Sequence, residues 1–137
     1  MKTQKKKPVV VVVSGGFDPI HAGHVRLFEE AGKLGDKLVV ILNNDNWLKK
    51  KKGYVFMPQR ERKEVIEALR MVDKVILTGH QPNPKDMTVS RELRALRPNI
   101  FANGGDRTAK NTPEKAACKA AGCKVVYNLG RGGKVQS

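Results

Sequence analysis

Two histidines three residues apart, His21 and His24, carry the sharpest chemical signal in the 137 residues. They close the stretch Ser14-Gly15-Gly16-Phe17-Asp18-Pro19-Ile20-His21-Ala22-Gly23-His24. A spacing of three puts both imidazoles on one side of a first helical turn. Gly23 between them leaves room for a phosphate against that turn, and Gly15 and Gly16 let the backbone come close to a ligand. A helix start adds unpaired N–H groups and a positive dipole end, both attractive to an anion. Two imidazoles reaching one phosphate can donate hydrogen bonds to its oxygens as charge shifts during transfer. Phosphoryl and nucleotidyl transfer ask the protein chiefly for positioning and charge neutralisation. Neither G-x-G-x-x-G nor G-x-x-x-x-G-K-[ST] is present. A lone histidine at a helix start is usually a cap or a packed ring; the pair in H-x-G-H after Gly-Gly-Phe-Asp reads as functional.

Those side chains need a strand before them and a helix after them. Val9 to Val13 is an unbroken β-branched run, as expected of a strand buried on both faces of a parallel sheet. Val25, Phe28, Ala31 and Leu34 mark one face of a helix from Ala22 to Leu34, with Gly35 as its left-handed stop. Lys37 to Leu42 is a second buried strand, completing a βαβ unit. The pattern then repeats. A helix runs from Pro58 to Met71, a strand over Val75–Leu77, a helix over Val89–Leu96 and a strand over Ile100–Ala102. Thr112 and Pro113 open a last helix that closes at Gly122, before a fifth strand at Val125–Tyr127. Alternating elements of this kind predict an α/β fold, a Rossmann-like three-layer α/β/α sandwich on a five-stranded parallel sheet. Ligands of such sheets bind beyond the carboxyl ends of the strands. That rule points to residues 15–24, 43–54, 103–107 and 130–137.

Three further features fall there. Lys49-Lys50-Lys51-Lys52 follows Trp47 and the second strand; it is a solvated charge run or a set of phosphate contacts. Asn103-Gly104-Gly105-Asp106 follows the fourth strand, where the glycines permit close approach to a nucleoside and Asp106 could bind a hydroxyl. Asp18 orders the histidine loop or simply forms a turn before Pro19. Trp47 covers a substrate or packs in the core.

Composition narrows the classes. The chain is one domain's length, residues 1–137, with a basic flexible N-terminus over 1–7 and a glycine-rich tail over 130–137. Lys and Arg number 27 against 13 Asp and Glu, a net charge of +14 that suits phosphate-bearing partners. No apolar run reaches the roughly 18 residues of a membrane span, and no secretory apolar region follows the N-terminal lysines. Cys118 and Cys123 lack a second metal-ligand pair, so the expectation is two free thiols in a cytoplasmic protein and no metal site. Aromatic residues are only 5%, too few for the stacking platforms of a nucleic-acid-binding module, so nucleic acid is disfavoured as a partner.

The stretch from Ser14 to His24 resembles the nucleotide-binding motif of the cytidylyltransferase-like nucleotidyltransferases, G-[TSG]-F-D-x-x-H-x-G-H. Lys33-Leu-Gly-Asp-Lys-Leu-Val-Val40 and Gln59-Arg-Glu-Arg-Lys63 with Val72-Asp73 are similar to later stretches of that family. Asn103-Gly-Gly-Asp106 resembles the K-G-G-D element of the heptose-phosphate adenylyltransferases; glycerol-3-phosphate cytidylyltransferases have G-D-D there. The resemblance spans residues 9 to 131. It implies the HxGH nucleotidyltransferase fold and a biosynthetic reaction: a phosphorylated sugar or polyol attacks the α-phosphate of CTP or ATP, and pyrophosphate leaves. FMN is a further acceptor in small relatives. It implies that His21 and His24 stabilise the reacting phosphate, that Ser14, Gly15, Gly16, Phe17, Asp18 and Gly23 line the nucleotide, and that Lys51, Lys52 and Arg62 reach phosphates, Arg62 having surface pairing with Glu61 or Glu64 as its other role. Gly104 and Asp106 would meet the nucleoside, and Mg2+ would ride on the triphosphate rather than on a protein cage. A homodimer stays open. The sequence departs from the family at its end. Gly130-Arg-Gly-Gly-Lys-Val-Gln-Ser137 stands where an I-S-T-T stretch is expected, with Arg131 matching the arginine before it, so that segment is either remodelled or cut short. An inactive nucleotide-binding relative is the alternative this leaves.

Overall fold

Five short strands give the frame its centre. The structure, a computed structural model, describes residues 7–105 and 112–130. The strands are β1 (Val10–Gly15), β2 (Lys37–Leu42), β3 (Lys74–Leu77), β4 (Ile100–Gly104) and β5 (Lys124–Leu129). They form one parallel sheet in the order β3-β2-β1-β4-β5. Between them lie α1 (Ala22–Gly32), α2 (Asp45–Lys52), α3 (Gln59–Glu67), α4 (Ser90–Leu96) and α5 (Lys115–Ala120). This is the expected three-layer α/β/α fold.

The valine run shows why both faces are covered. Val11 and Val13 point into a core with Phe28, Ala31 and Ile66, the buried faces of α1 and α3. Val12 points the other way, into a core with Leu93 and Cys118 from α4 and α5. All three valines are fully buried, as alternation in a two-faced strand demands. β1 is central, and the chain order reverses between it and β4. Ligands of open parallel sheets bind at such a reversal, beyond the carboxyl ends of the strands.

Several boundaries move. α1 ends at Gly32 with a right-handed cap at Lys33, so Gly35 is not its left-handed stop. Gly35 is instead required by crowding, because a Cβ there would lie 2.7 Å from the Val9 carbonyl oxygen. The lysine run forms the second half of α2, a helix not expected from the sequence, capped by the Asn44 side chain on the Trp47 N–H and closed by Gly53 at φ +88°. α3 stops at Glu67, well short of Met71, and α5 starts at Lys115 rather than at Pro113. The two cysteines are joined as a disulfide, which corrects the expectation of free thiols. The turn after α5 folds back so that the Cys123 N–H donates to the Cys118 carbonyl at 2.8 Å and the Cα atoms stand 4.8 Å apart, within the range a disulfide spans. Among the described residues no helix is long and apolar enough to cross a membrane. Asp106, Arg131 and Ser137, with most of the N-terminus and tail, lie outside the described residues.

Candidate active site

β1 delivers the chain to a turn that folds Phe17 back beneath the loop. Phe17 is buried at φ 48°, its ring edge-on to Phe28 and to His24 at centroid distances of 5.1 and 4.9 Å. A Cβ at Gly15 would meet the Phe17 ring at 2.8 Å, and one at Gly16 would meet Leu48 at 2.9 Å. The two glycines therefore make room for protein packing as well as for any ligand.

α1 then opens with a capping box built from two imidazoles. His21 is the N-cap, and its Nδ1 accepts the Gly23 N–H at 3.2 Å. His24 is the third residue of the helix, and its Nδ1 accepts the His21 N–H at 3.2 Å. The rings stack with centroids 3.8 Å apart and planes 23° apart. A neutral imidazole whose Nδ1 accepts must carry its proton on Nε2. The backbone partners therefore dictate one tautomer for both rings, each with an Nε2–H donor. The His21 Nε2 is buried and has no hydrogen-bond partner. Leaving such a donor unsatisfied costs about 1–3 kcal/mol, a cost that a phosphate oxygen at that atom would remove.

Asp18 ties this loop to the second half of the site. Its carboxylate accepts the Phe56 N–H at 2.7 Å, the Met57 N–H at 2.5 Å and the Lys52 ammonium at 3.1 Å. Lys52 also donates to the Asp18 carbonyl at 2.8 Å. Asp18 is thus an ordering residue, and Lys52 is brought against the histidine loop from the end of α2. Burial pushes the Asp18 carboxyl up, but the two N–H donors and the ammonium outweigh it and hold it below its ordinary value. A carboxyl that titrates lower when folded stabilises above its unfolded pKa and loses that contribution as pH falls through the folded one. Asp18→Asn is therefore expected to cost about 1–3 kcal/mol at pH 7. The gap from wild type should close at pH values well below about 4, as read from urea midpoints.

Arg62 lies beneath the same loop, fully buried. Its guanidinium donates to the carbonyls of Met57 at 2.8 Å, Gly16 at 2.8 Å and Asn43 at 2.7 Å, and to the Asp45 carboxylate at 2.7 Å. It pairs with neither Glu61 nor Glu64. It pins the Gly16 turn, the end of β2 and the start of α2 to one another, the work of a positioning residue.

The remaining expected residues spread around this centre. Ser14 and Gly15 end β1, and Gly23 lies in the first turn of α1. Lys51 is exposed on α2, while Lys50 donates to the Pro84 carbonyl at 2.8 Å. Trp47 is a tether: its Nε1–H donates to the Met87 carbonyl at 2.8 Å. Gly104 ends β4, beside β1 and at the same edge of the sheet. Asn103 bonds the Phe101 and Val126 carbonyls at 3.3 Å, stitching that corner to β5. Sequence reasoning pointed to residues 43–54 but did not single out Asn43, Asn44 and Asp45. Asn43 is buried with its Oδ1 unpartnered at the end of β2. The Asn-Asn-Asp step before an eight-residue helix was the available signal, a polar cap after a buried strand. Among the described residues no group of three or more His, Cys, Asp or Glu is placed to hold a metal. A cavity of about 400 Å³ lined by Glu29, Asp36, Arg70 and Asp73 lies at the opposite, amino-terminal edge of β2 and β3, away from the histidines.

A family model described as Cytidylyltransferase-like matches residues 12–125. FAD synthase from Pyrococcus horikoshii is 36% identical over 120 residues, 87% of this chain and 78% of that protein. FAD synthase from Ferroglobus placidus is 40% identical over 97 residues, 71% of this chain and 59% of that protein. Bifunctional protein HldE from Gluconobacter oxydans is 39% identical over 119 residues, 85% of this chain but only 24% of that protein, so the chain spans about a quarter of its length. Among solved structures, a lipopolysaccharide core biosynthesis protein from Thermoplasma volcanium superposes with a TM-score of 0.74 at 26% identity, covering 89% of this chain and 97% of that one. With the H-x-G-H turn at the head of α1 and a family match over most of its length, this chain belongs to the cytidylyltransferase-like family of nucleotidyltransferases.

Proposed function

We propose that the chain transfers the adenylyl group of ATP to a phosphorylated small molecule. An acceptor phosphate oxygen attacks the α-phosphorus, a new P–O bond forms, and the bond to the bridging oxygen breaks with its electron pair leaving on pyrophosphate. The observation that carries this reading is the imidazole capping box, in which each Nδ1 accepts a backbone N–H and each ring is left with its proton on Nε2 at the head of α1. Negative charge grows on the non-bridging oxygens of the α-phosphate as it becomes five-coordinate, and fixed donors there stabilise that charge. Lys51 supplies neutralising charge from α2 while Lys52 holds the loop through Asp18, and the chain reversal between β1 and β4 takes the nucleoside beside Gly104.

ATP is favoured over CTP because the relatives named FAD synthase make a product containing an adenylyl group. FMN is accordingly the first acceptor to test. A sugar phosphate is the second reading, favoured by the Thermoplasma neighbour, a lipopolysaccharide core biosynthesis protein, and by the Asn103-Gly-Gly-Asp106 element. Mg2+ fits as a passenger of the triphosphate: the loop offers N–H donors, and its one carboxylate, Asp18, is already committed to Phe56, Met57 and Lys52. When bound, the ion neutralises triphosphate charge.

Pyrophosphate release with ATP or CTP against FMN, hexose phosphates and a polyol phosphate tests the proposal. ATP with one of these acceptors should release pyrophosphate in step with product. Nucleotide binding without release for any pair would overturn it in favour of an inactive relative. Binding to random DNA that falls steeply with salt would favour a nucleic-acid module.

A further inference from the structure

Between α2 and α3 the chain exposes two aromatic rings that belong to neither apolar core. Among the described residues Tyr54 is 58% and Phe56 65% exposed, against 39% for the next most exposed large apolar residue, Val65. A large aromatic surface left in water beside a polar site usually has a partner. The arm that carries these rings is held firmly. The Phe56 and Met57 N–H groups are pinned by Asp18, and the Lys52 ammonium sits 4.9 Å from the Tyr54 ring centroid while bonded to Asp18. Asp18 is three residues before His21, so the arm is docked on the histidine loop itself.

Its place in the sheet says which half of the reaction it faces. The arm follows β2, on one side of β1, whereas Gly104 and the chain reversal lie on the other. Exposed aromatic rings, one of them with the Lys52 ammonium 4.9 Å from its centroid, suit a planar ring on a molecule that also carries a phosphate. We infer that Tyr54 and Phe56 stack on the ring system of a phosphorylated, planar heteroaromatic acceptor of the flavin mononucleotide class and so select it over sugar and polyol phosphates. This rests on the adenylyl-transfer reading for its setting, but it is tested separately.

The full chain is titrated with FMN alone, following flavin fluorescence, and then assayed for pyrophosphate release with ATP and FMN. Stacking on aromatic side chains is worth enough that losing both rings should weaken FMN binding about 10–100-fold. In Tyr54→Ala/Phe56→Ala the quenching of bound flavin should disappear and the KM for FMN should rise by that factor, with ATP affinity unmoved. Phe56→Trp should restore binding and Phe56→Leu, which keeps apolar bulk, should not. Both side chains are exposed, so the variants should melt like wild type. FMN affinity unchanged in the folded double variant, or restored by leucine as well as by tryptophan, would overturn the inference. Failure of every nucleotide and acceptor pair to release pyrophosphate would sink the transfer reading, and the flavin titration would still decide the stacking.

Discussion

His24→Ala should lower turnover about 10²–10³-fold, the loss expected when one preorganised donor is removed from a transition state's growing charge. His24 does two things in the structure. Its Nδ1 caps the His21 N–H, and that acceptance puts the ring proton on Nε2. Alanine removes both. The cap alone is worth about 0.5–2 kcal/mol of stability, which a thermal melt reads separately from the rate. His24→Gln separates the roles again: its carbonyl can take the cap while its amide offers a displaced donor. We expect glutamine to recover stability and little of the rate. A loss below threefold for His24→Ala in a working assay would put the imidazole outside the reaction.

Arg62→Met should produce the largest change in stability, about 3–5 kcal/mol, or roughly 10–20 °C in melting temperature for a domain of this size. The buried guanidinium meets the carbonyls of Met57, Gly16 and Asn43 and the Asp45 carboxylate at 2.7–2.8 Å. Methionine fills much of the volume but satisfies none of them. Four acceptors left without donors in a covered site are what make the change costly. Arg62→Lys keeps the charge, yet one ammonium cannot reproduce a planar fork spanning Gly16, Asn43, Met57 and Asp45. It should recover only part of the loss. Differential scanning calorimetry of the three proteins at one pH gives the order directly; a methionine variant that melts within about 2 °C of wild type would show the clamp to be dispensable.

The frame of this protein was legible because its information is local. A five-valine run can only be a doubly buried strand, and each later strand is a short apolar block between turn signals. The histidine motif was legible for the same reason, as spacing and glycines lie within eleven consecutive residues. α2 was hidden because a helix of DNWLKKKK has one buried apolar residue, Leu48, and therefore no period to read; only its caps, Asn44 and Gly53, announced it. Arg62 was singled out, but its buried clamp was hidden for a different reason. Its partners come from residues 16, 43, 45 and 57, and nothing in the neighbourhood of Glu61 and Glu64 hints that the side chain turns inward. The disulfide depended on how tightly the chain turns after Ala120, which a spacing of five does not determine. Long-range satisfaction of polar groups is a property of the packed molecule.

The proposed chemistry requires that two Nε2–H groups, fixed by backbone caps, hold the α-phosphate. A crystal structure of the chain with a non-hydrolysable ATP analogue decides whether they do. An α-phosphate oxygen should lie within hydrogen-bond distance of Nε2 on both His21 and His24, with the caps to Gly23 and His21 retained. A triphosphate seated elsewhere on the sheet edge, or rings turned so that Nδ1 meets the ligand and the caps are broken, would refute the proposed role of the two imidazoles.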